Sequence, residues 1–589
     1  MRRNTIILIL TGIVPVIWIA LLIAPYMENG LIDILNNINN INLFSVELSE
    51  NSLKTIFIFL LIYFLVMLYI YSTQKNYRKG EEAGSAKWGV AKEVNKKYFQ
   101  EPNKNNKILT KNVSIGLNGK LHKRNINTII IGGSGSGKTR FYAKPNIMQC
   151  NTSFIVLDPK GEILRDTGNL LKKEGYNIKV LDLINMEKSD CYNPFVYLKN
   201  DNDVQRLVTN LFKSTTPKGS TTSDPFWDAT ASMLLMSLVF YLLYEAPEYE
   251  QNFSMVLEML RAGSINEEDD GTGMPSVLDI LFQDLEMRNP NHIALKYYKD
   301  FRIGAGKTLK SILITLASRL DKFNLNSLIR LISKDELDLG SLGEKKTALF
   351  ALIPDNDPSF NFLVSMLYTQ LFQQLFYLAD YKYGGSLPIH VHFLMDEFAN
   401  VSLPNEFAQI LSVMRSREVS VSIILQNLSQ LKALFEKDWE SIVGNCDELL
   451  YLGGNEQSTH KFVSEFLGKE TIDTNSYVKS AGRNGNYSTN YQVSGRELLT
   501  PDEVRMLDNR YAILFIRGEK PIKDKKYNIL KHPNVKYTTD GKGKPYIHGL
   551  DKIQNNKNID NIIDNYEVIY CDEIEEYLER NKEDKNEEK

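Results

Sequence analysis

Residues 132–139 read GGSGSGKT and decide how the rest of the chain is interpreted: Gly132, Gly133, Ser134, Gly135, Ser136, Gly137, Lys138 and Thr139. The stretch follows the apolar run 128–131 and precedes a segment able to form a helix, 140–149. A strand, then GxxxxGK[ST], then a helix is the order of a phosphate-binding loop, or P-loop. Its glycines let backbone N–H groups turn inward around a phosphate, and the helix N-terminus adds positive partial charge. The stretch therefore predicts a nucleoside triphosphate site.

Each polar side chain of this loop has a predicted role. Lys138 is expected to reach the β- and γ-phosphates of ATP, and the Thr139 hydroxyl to complete the shell of a Mg²⁺ ion. Arg140, which follows directly, is counted with residues 132–139 as a candidate nucleotide-binding residue. A Gly/Ser turn that happens to hold a lysine is the alternative, and it is disfavoured because every position of the pattern is filled.

Composition bounds the possible function classes. The chain has 589 residues, enough for about three to four domains. Its formal net charge of −3 excludes a protein that coats nucleic acid in bulk, so any DNA contact must be local. The four cysteines (Cys150, Cys191, Cys446 and Cys571) lie far apart without a CxxC pair, which argues against a disulfide framework or a zinc knuckle.

Two uncharged apolar runs, residues 6–25 and 55–71, are long enough or nearly so to cross a hydrocarbon core of ~30 Å. Basic residues flank the pair on its outer sides: Arg2, Arg3, Lys75, Arg78 and Lys79. The loop between the runs is acidic, so the positive-inside rule predicts a short external loop with both ends in the cytoplasm. A cleaved signal peptide is disfavoured because the first run is too long and lacks an Ala-x-Ala site. A multi-pass plasma-membrane protein with most of its chain in the cytoplasm is predicted.

The pattern of strands and helices predicts an α/β fold with an inserted helical domain. The predicted parts are a membrane anchor (1–74), a connector (75–127), a nucleotide-binding domain in two segments (128–195 and 325–535), an all-α domain (196–324) and an acidic tail (536–589). In the all-α segment, apolar residues recur at three- and four-residue spacing. Residues 572–589 contain nine acidic and four basic residues, a composition typical of a solvated, flexible tail.

Two features of the helical segment imitate other structures. Residues 225–245 are very apolar, but the purely apolar part is too short for a third membrane span, so a core helix is predicted. Residues 304–308, GAGKT, resemble the end of a P-loop. Phe301 stands where the first glycine is required and no strand precedes it, so a loop that opens a helix is predicted instead.

A second element of the nucleotide site is predicted at residues 389–397, IHVHFLMDE. An apolar strand that ends in Asp-Glu is what a Walker B element needs: Asp396 holds Mg²⁺, usually through water, and Glu397 polarises the attacking water as general base. His390 and His392 lie on one face of this strand, but no third ligand is apparent, so packing histidines are favoured over a metal site.

Further candidates follow from position relative to these two elements. Gln426 ends the predicted strand 419–425, where an amide can sense the γ-phosphate or orient water. Arg415 and Arg417 lie where a ring ATPase presents an arginine to its neighbour's phosphate, and the less favoured alternative is that both form surface salt bridges. Lys160, after the predicted strand 152–157, is left open between a structural turn and a catalytic role. A Gly/Asn/Ser-rich stretch, 482–491, is predicted to be a mobile loop.

Together these motifs resemble the type IV coupling proteins, the TraG/TraD-type ATPases of conjugation and type IV secretion. The matching stretches are GGSGSGKT (132–139), LDPKGE (157–162), YNPF (192–195), PFWD (225–228), FLMDEFAN (393–400), Arg415-Ser416, Gln426 and LTPDEV (499–504). The resemblance spans about residues 80–530 and the two apolar runs.

The resemblance implies a RecA-like nucleotide domain with an all-α domain that faces the cytoplasm, in a membrane-bound hexamer. It implies recruitment of a relaxase–single-stranded DNA complex and its ATP-driven delivery into a type IV secretion channel. Residue by residue, it implies nucleotide and metal binding by Lys138 and Thr139, and hydrolysis by Asp396 and Glu397. Arg415 matches a finger that acts in trans, and Gln426 a phosphate sensor.

Two other functions stay open at this stage. One is an FtsK/HerA-like motor that moves duplex DNA; the short, acidic C-terminal region offers no DNA-orienting winged-helix module for it. The other is a receptor for protein substrates whose ATP use serves assembly rather than transport. An ABC transporter is disfavoured because no LSGGQ-like signature lies between the two Walker elements.

Overall fold

The structure is a computed structural model and describes residues 2–26, 46, 48–73, 80–216, 225–263, 275–304, 306–354, 356–401, 403, 406–479 and 487–549. The acidic end of the chain, the acidic loop after residue 26 and the flanking Lys75, Arg78 and Lys79 lie outside these ranges, so the predictions made for them remain predictions. The chain divides into two compact units, residues 1–84 with 471–495, and residues 85–470 with 496–589.

The second unit is built on one sheet of nine strands, in the order β13-β12-β9-β3-β8-β7-β4-β6-β5. Two small sheets, β1-β2 and β10-β11, complete the strands of the described residues. The strands are β1 (Asn106–Ile108), β2 (Ser114–Gly116), β3 (Thr128–Ile131), β4 (Ser153–Asp158), β5 (Asn177–Asp182), β6 (Thr347–Leu352), β7 (Val391–Met395), β8 (Val419–Leu425), β9 (Glu448–Tyr451), β10 (Lys469–Lys479), β11 (Tyr487–Glu497), β12 (Tyr511–Ile516) and β13 (Ile522–Lys525).

The centre of the large sheet is parallel and buried on both faces. Strand β3 pairs in parallel with β8 on one side and β9 on the other. Its side chains alternate between two hydrophobic clusters, with Ile129 and Ile131 in one and Ile130 in the other. At one edge, β12 runs against the other strands and pairs antiparallel with β9 and with β13. Because the central strands are parallel, the loops after β3, β4, β7 and β8 meet at one edge of the sheet.

The described residues form nineteen α-helices, and those of the second unit cover the faces of the sheet and fill the segment between β5 and β6. The nineteen helices are α1 (Arg2–Ile23), α2 (Ser52–Thr73), α3 (Ala91–Tyr98), α4 (Gly119–His122), α5 (Lys144–Ile147), α6 (Glu162–Lys173), α7 (Asp201–Thr215), α8 (Pro225–Glu245), α9 (Phe253–Ala262), α10 (Val277–Arg288), α11 (Ile293–Arg302), α12 (Gly306–Leu320), α13 (Asn326–Ile332), α14 (Asn361–Tyr377), α15 (Phe407–Met414), α16 (Leu428–Leu434), α17 (Trp439–Gly444), α18 (Gln457–Leu467) and α19 (Pro501–Arg505).

The segment between β5 and β6 holds no strand among its described residues. Its apolar helix α8 has the length and hydropathy of a membrane span, yet Leu234, Leu235 and Leu238 are fully buried among the helices around it. The prediction of a core helix is confirmed by this packing. Residue 306 opens helix α12, and none of the described residues between β5 and this helix forms a strand, as predicted for the GAGKT stretch.

The first unit contains the two N-terminal helices and most of the β10-β11 hairpin. Helix α2 is long and apolar enough to cross a membrane over Ser52–Ile70, and α1 contributes a shorter apolar stretch, Thr11–Tyr26. The helices approach closely at Gly12, where a Cβ atom would lie 2.2 Å from the Tyr63 hydroxyl. At the base of the hairpin, Thr471 Oγ1 accepts the N–H groups of Ala83 and Gly84 at 3.1 and 3.0 Å and donates to the Gly84 carbonyl at 2.8 Å.

Three local expectations need correction or extension. Residues 487–491 were predicted as part of a mobile loop and form the start of β11; residues 480–486 lie outside the described ranges. The fold continues beyond residue 535, since Tyr546 packs on Gly168 and short helical turns precede it. The predicted connector, 75–127, contains the strands β1 and β2, which pair antiparallel.

Candidate functional site

The P-loop begins where β3 ends and is held on both sides by neighbouring strands. The Gly132 N–H donates to the carbonyl of Leu425, at the end of β8, at 3.0 Å. The Gly133 N–H donates to the carbonyl of Gly453, just after β9, at 2.8 Å. The loop is thus fixed at the edge of the sheet where the parallel strands end.

Glycine is required at several positions of the loop. Gly135 and Gly137 have φ values of 75° and 84°, a region that side chains with a Cβ rarely adopt. A Cβ on Gly132 would lie 2.3 Å from Ser136 Oγ, and one on Gly137 would lie 2.4 Å from the Phe141 ring. The sequence pattern is therefore set by backbone conformation and by close packing.

The loop offers unpaired donors to an anion. Among the described residues, the N–H groups of Gly135, Gly137 and Lys138 have no protein acceptor. The Ser136 hydroxyl is buried and also lacks a partner within the described part of the chain. Buried donors without partners are costly, and a phosphate would satisfy them, so this set fits a bound phosphate chain.

Lys138 bends over the loop. Its Nζ donates to the carbonyls of Gly132 at 2.7 Å and Gly133 at 3.3 Å. Burial lowers the pKa of Lys138, and the nearby carboxylates of Asp396 and Glu397 oppose that shift. The ammonium therefore lies between the loop and the acidic pair at the end of β7.

The decisive contact joins the two predicted elements. The Thr139 hydroxyl donates to Asp396 Oδ2 at 2.9 Å, although the residues are 257 positions apart in sequence. Burial raises the pKa of Asp396, while the Thr139 hydrogen bond and the Lys138 charge lower it. A hydroxyl and a carboxylate side by side are oxygen ligands of the kind that Mg²⁺ takes together with substrate phosphates. The predicted metal-binding residues are thus adjacent.

Glu397 follows directly and has an unusual backbone. Its φ of 53° and ψ of 49° place it in the left-handed region. A non-glycine residue there is strained, and such strain clusters at functional sites. The turn carries Glu397 beyond the buried Asp396 to a half-buried position.

Asp158 adds a third acid to this edge of the sheet. It ends β4, is 1 % exposed, and accepts the Leu164 N–H at 2.9 Å. Burial raises the pKa of Asp158 to about 7, with a further contribution from the Asp396 charge. Lys160, two residues on, is exposed, and its role stays open.

Gln426 directly follows β8, between the P-loop strand and the β7 strand that carries the acidic pair. Its N–H donates to Gln430 Oε1 at 2.9 Å, and its side chain has no hydrogen-bond partner among the described residues. The amide is therefore available at the predicted position.

Arg415 and Arg417 differ in their surroundings, which the sequence could not show. Arg417 makes a two-pronged ion pair with Asp380, with Nη2 and Nε at 2.8 and 2.9 Å from its oxygens, and its guanidinium lies 4.8 Å from the Phe376 ring centroid. Arg415 is exposed, and its side chain has no ion-pair or hydrogen-bond partner in the described part of the chain. Arg417 thus has a structural role, and Arg415 is free to contact another molecule.

The two strand histidines are packing residues, as predicted. His390 contacts Glu418 and Ser420, and His392 contacts Ser420 and Ser422. Within the described ranges there is no cluster of three His, Cys, Asp or Glu residues that could hold a metal ion.

The structure also adds contacts that the sequence did not suggest. Arg140 Nη1 lies 3.6 Å from Asp540 Oδ1, so the residue after the P-loop faces the C-terminal segment. Lys526, after β13, donates to the Ser136 carbonyl inside the P-loop at 2.8 Å. No motif marks either partner, because the contacts join residues about 400 positions apart.

The geometry agrees with what comparison with known proteins finds. The model of one protein family, described as "Type IV secretory system Conjugative DNA transfer", matches residues 81–545. The chain belongs to this family. The family match covers the P-loop, the Asp396–Glu397 pair and the helices between β5 and β6, as the sequence resemblance implied.

Relatives are distant. The chain is 24% identical over 423 residues to "Protein VirD4" of Rhizobium radiobacter, which covers 69% of this chain and 58% of the relative. It is 24% identical over 408 residues to "Conjugal transfer protein TraG" of Escherichia coli, over 62% of this chain and 59% of the relative. The chain thus spans somewhat under two thirds of the length of these curated relatives.

Solved structures show the fold. The bacterial conjugative coupling protein TrwBdeltaN70 superposes with a TM-score of 0.54 at 17% identity, over 77% of this chain and 99% of that one. The plasmid coupling protein TrwB in complex with ADP and Mg²⁺ superposes with a TM-score of 0.53 at 16% identity, over 76% and 97%. The predicted α/β fold, a RecA-like core with an inserted helical segment, is confirmed.

Proposed function

We propose that this chain is a membrane-anchored ATPase that couples ATP hydrolysis to delivery of a relaxase–DNA or protein substrate into a type IV secretion channel. The observation that carries the proposal is the 2.9 Å hydrogen bond between Thr139 and Asp396 in a chain of the conjugative DNA transfer family. That contact assembles the two halves of a nucleotide site from distant parts of the sequence.

ATP and Mg²⁺ are the proposed cofactors. The unpaired N–H groups of the P-loop and the Lys138 ammonium suit the β- and γ-phosphates, and Thr139 and Asp396 suit the metal, with Asp396 acting usually through water. When bound, Mg²⁺ neutralises charge that develops on the phosphates. The roles proposed for the other two residues are that Glu397 takes a proton from water as general base, and that Gln426 orients that water or contacts the γ-phosphate.

Assembly and location complete the proposal. Arg415, exposed and without a partner among the described residues, suits a finger that reaches the phosphate of a neighbouring copy in a hexameric ring, an effect worth about 10³–10⁵ in rate. Helices α1 and α2 suit a two-pass membrane anchor. The proposed partners are a relaxase–single-stranded DNA complex and components of the secretion channel.

ATP turnover by the purified full-length protein in lipid vesicles tests the proposal. We expect single-stranded DNA to raise phosphate release, and Lys138→Ala to abolish release while the protein still reaches the membrane. Arg140→Ala, two positions further on, keeps Lys138 and tests separately whether Arg140 contributes to nucleotide binding.

Other outcomes would support other functions. Stimulation by duplex DNA alone would favour a duplex translocase. Stimulation by a protein substrate, with DNA inert, would favour a substrate receptor. Unchanged turnover in Lys138→Ala would contradict the assignment of the phosphate loop itself.

A further inference from the structure

Lys526 is a buried lysine in contact with the P-loop that none of the predicted motifs includes. It follows β13 at the antiparallel edge of the sheet and is 7 % exposed. Its N–H donates to the carbonyl of Arg510, the residue before β12, at 2.9 Å, which fixes its backbone beside the start of that strand. Its Nζ donates to the Ser136 carbonyl at 2.8 Å and to Asn509 Oδ1 at 2.7 Å.

The bond to Ser136 controls one peptide plane of the loop. The Ser136 carbonyl and the Gly137 N–H belong to the same planar trans peptide, so they point in opposite directions. Holding the carbonyl on the side of Lys526 therefore directs the Gly137 N–H to the other side. That N–H is one of the donors without a protein acceptor among the described residues.

The loop needs such a restraint because of its glycines. Gly135 and Gly137 flank Ser136, and glycine can exchange between positive and negative φ at little cost. Without an external hydrogen bond the peptide could rotate and turn a carbonyl, rather than an N–H, toward a phosphate. Phe141 lies in the helical turn Thr139–Ala143 that follows the loop. Its ring packs against Gly137, and the ring centroid lies 5.4 Å from Lys526 Nζ.

The segment that carries Lys526 is itself fixed to residues 139–149, the helical segment that follows the P-loop. His532 Nε2 and Gln149 Oε1 lie 3.1 Å apart, and the Asn534 amide donates to the Met148 carbonyl at 2.8 Å. Asp540 then lies 3.6 Å from Arg140 and 3.5 Å from Lys144. These contacts hold residues 526–540 along the loop and the helix after it.

We propose that Lys526 is a positioning residue of the nucleotide site, which keeps the Ser136–Gly137 peptide in the orientation that binds phosphate. The inference rests on the proposed function as an ATPase. Burial lowers the pKa of Lys526 to about 8, with Asp508 opposing the shift, so the ammonium is held at a cost to stability. The two groups that accept hydrogen bonds from Lys526 Nζ, the Ser136 carbonyl and the Asn509 side-chain amide, are both neutral. A buried lysine whose hydrogen-bond acceptors are neutral is expected where its hydrogen bond holds a functional group in position, here the Ser136 carbonyl.

Binding of mant-ADP with Mg²⁺ to the full-length protein in detergent tests this role, together with the KM and kcat for ATP. We expect Lys526→Met to weaken mant-ADP binding about tenfold and to raise KM similarly, as loss of one charge-assisted hydrogen bond implies. The melting temperature should stay within a few degrees of the wild type, because the buried charge is also removed. Lys526→Arg should recover part of the affinity.

Lys525→Met is the matched control, since Lys525 is the preceding residue and its side chain is exposed. It should bind mant-ADP as the wild type does. Wild-type affinity in a folded Lys526→Met or Lys526→Gln variant would overturn the inference. So would failure of both variants to fold, because Lys526 would then be a residue of the fold rather than of the site. If the wild type itself does not bind mant-ADP, the proposed function fails instead.

Discussion

Glu397 combines a strained backbone with a position next to the proposed metal ligand Asp396. Its φ of 53° is costly for a residue with a Cβ, by about 1 kcal/mol or more. Glycine at this position would relieve the strain and remove the carboxylate. The strain is consistent with selection of the side chain for chemistry rather than for stability.

Replacing Glu397 by glutamine is expected to separate binding from hydrolysis. The amide has the same shape but cannot accept a proton, so turnover should fall about 10²–10⁴-fold while nucleotide affinity is kept. Phosphate release and mant-ATP binding measure the two effects. Glu418→Gln is a matched control, because the backbone of Glu418 is also left-handed, with a φ of 58°. Glu418 directly precedes β8, away from the P-loop edge of the sheet, and its carboxylate contacts His390. Wild-type turnover in Glu397→Gln would contradict the role of general base.

The two arginines after α15 should give different phenotypes. Arg415→Ala should abolish turnover in assembled protein without loss of nucleotide binding or stability. Arg417→Ala should lower the free energy of unfolding by about 1 kcal/mol, since it removes the two-pronged ion pair with the exposed Asp380 and the contact with the Phe376 ring.

A mixing experiment tests whether Arg415 acts on a neighbouring copy. Arg415→Ala and Glu397→Gln are each expected to be inactive, yet mixed assemblies would contain interfaces with both residues intact. Partial recovery of phosphate release on mixing would support action in trans. No recovery, or loss of nucleotide binding in Arg415→Ala alone, would contradict it.

At the scale of elements, the PFWD stretch at 225–228 acquires a structural explanation. Asp228, in the first turn of α8, accepts two hydrogen bonds from Arg319 of α12 at 2.8 and 2.9 Å. Arg319 also donates to the Thr215 carbonyl at the end of α7 at 2.8 Å. One guanidinium thus joins three helices of the inserted segment.

Loss of this joint is expected to destabilise the helices. Arg319→Met should lower the free energy of unfolding by about 1–3 kcal/mol, because Asp228 and the Thr215 carbonyl lose charged donors. Thermal melting of the full-length protein measures the effect. Arg206→Met, on the exposed face of α7, is the control and should change stability by less than about 1 kcal/mol. Equal melting temperatures for both variants would show that the joint contributes little.

Local patterns predicted the elements that depend on local physics. The buried strands β3, β4, β7 and β8 were predicted because their sequences are apolar runs that end in polar residues. Strands β10 and β11 were missed because their sequences are polar and rich in Asn and Ser.

At the scale of the whole molecule, the sequence predicted that the P-loop and the Asp396–Glu397 pair come together, but not what surrounds them. The P-loop and the acidic pair each carry a pattern, and an α/β fold brings strand ends together, so their contact could be anticipated. The support of Ser136 by Lys526 and the capture of Arg417 by Asp380 depend on tertiary packing and leave no spacing to read. Only folding brings these residues together.

The hydrogen bonds of Thr471 with residues 83 and 84 decide where a soluble fragment can be cut. A fragment that begins at Gly80 keeps both partners, whereas one that begins at Ser85 removes them. We expect trypsin to cleave within residues 471–495 faster in the shorter fragment, as mass spectrometry of the digest would show. Equal digestion would mean that the hairpin keeps its shape unaided. Removal of residues 80–84 at the amino end of the fragment would thus expose a protease cleavage site nearly four hundred positions downstream.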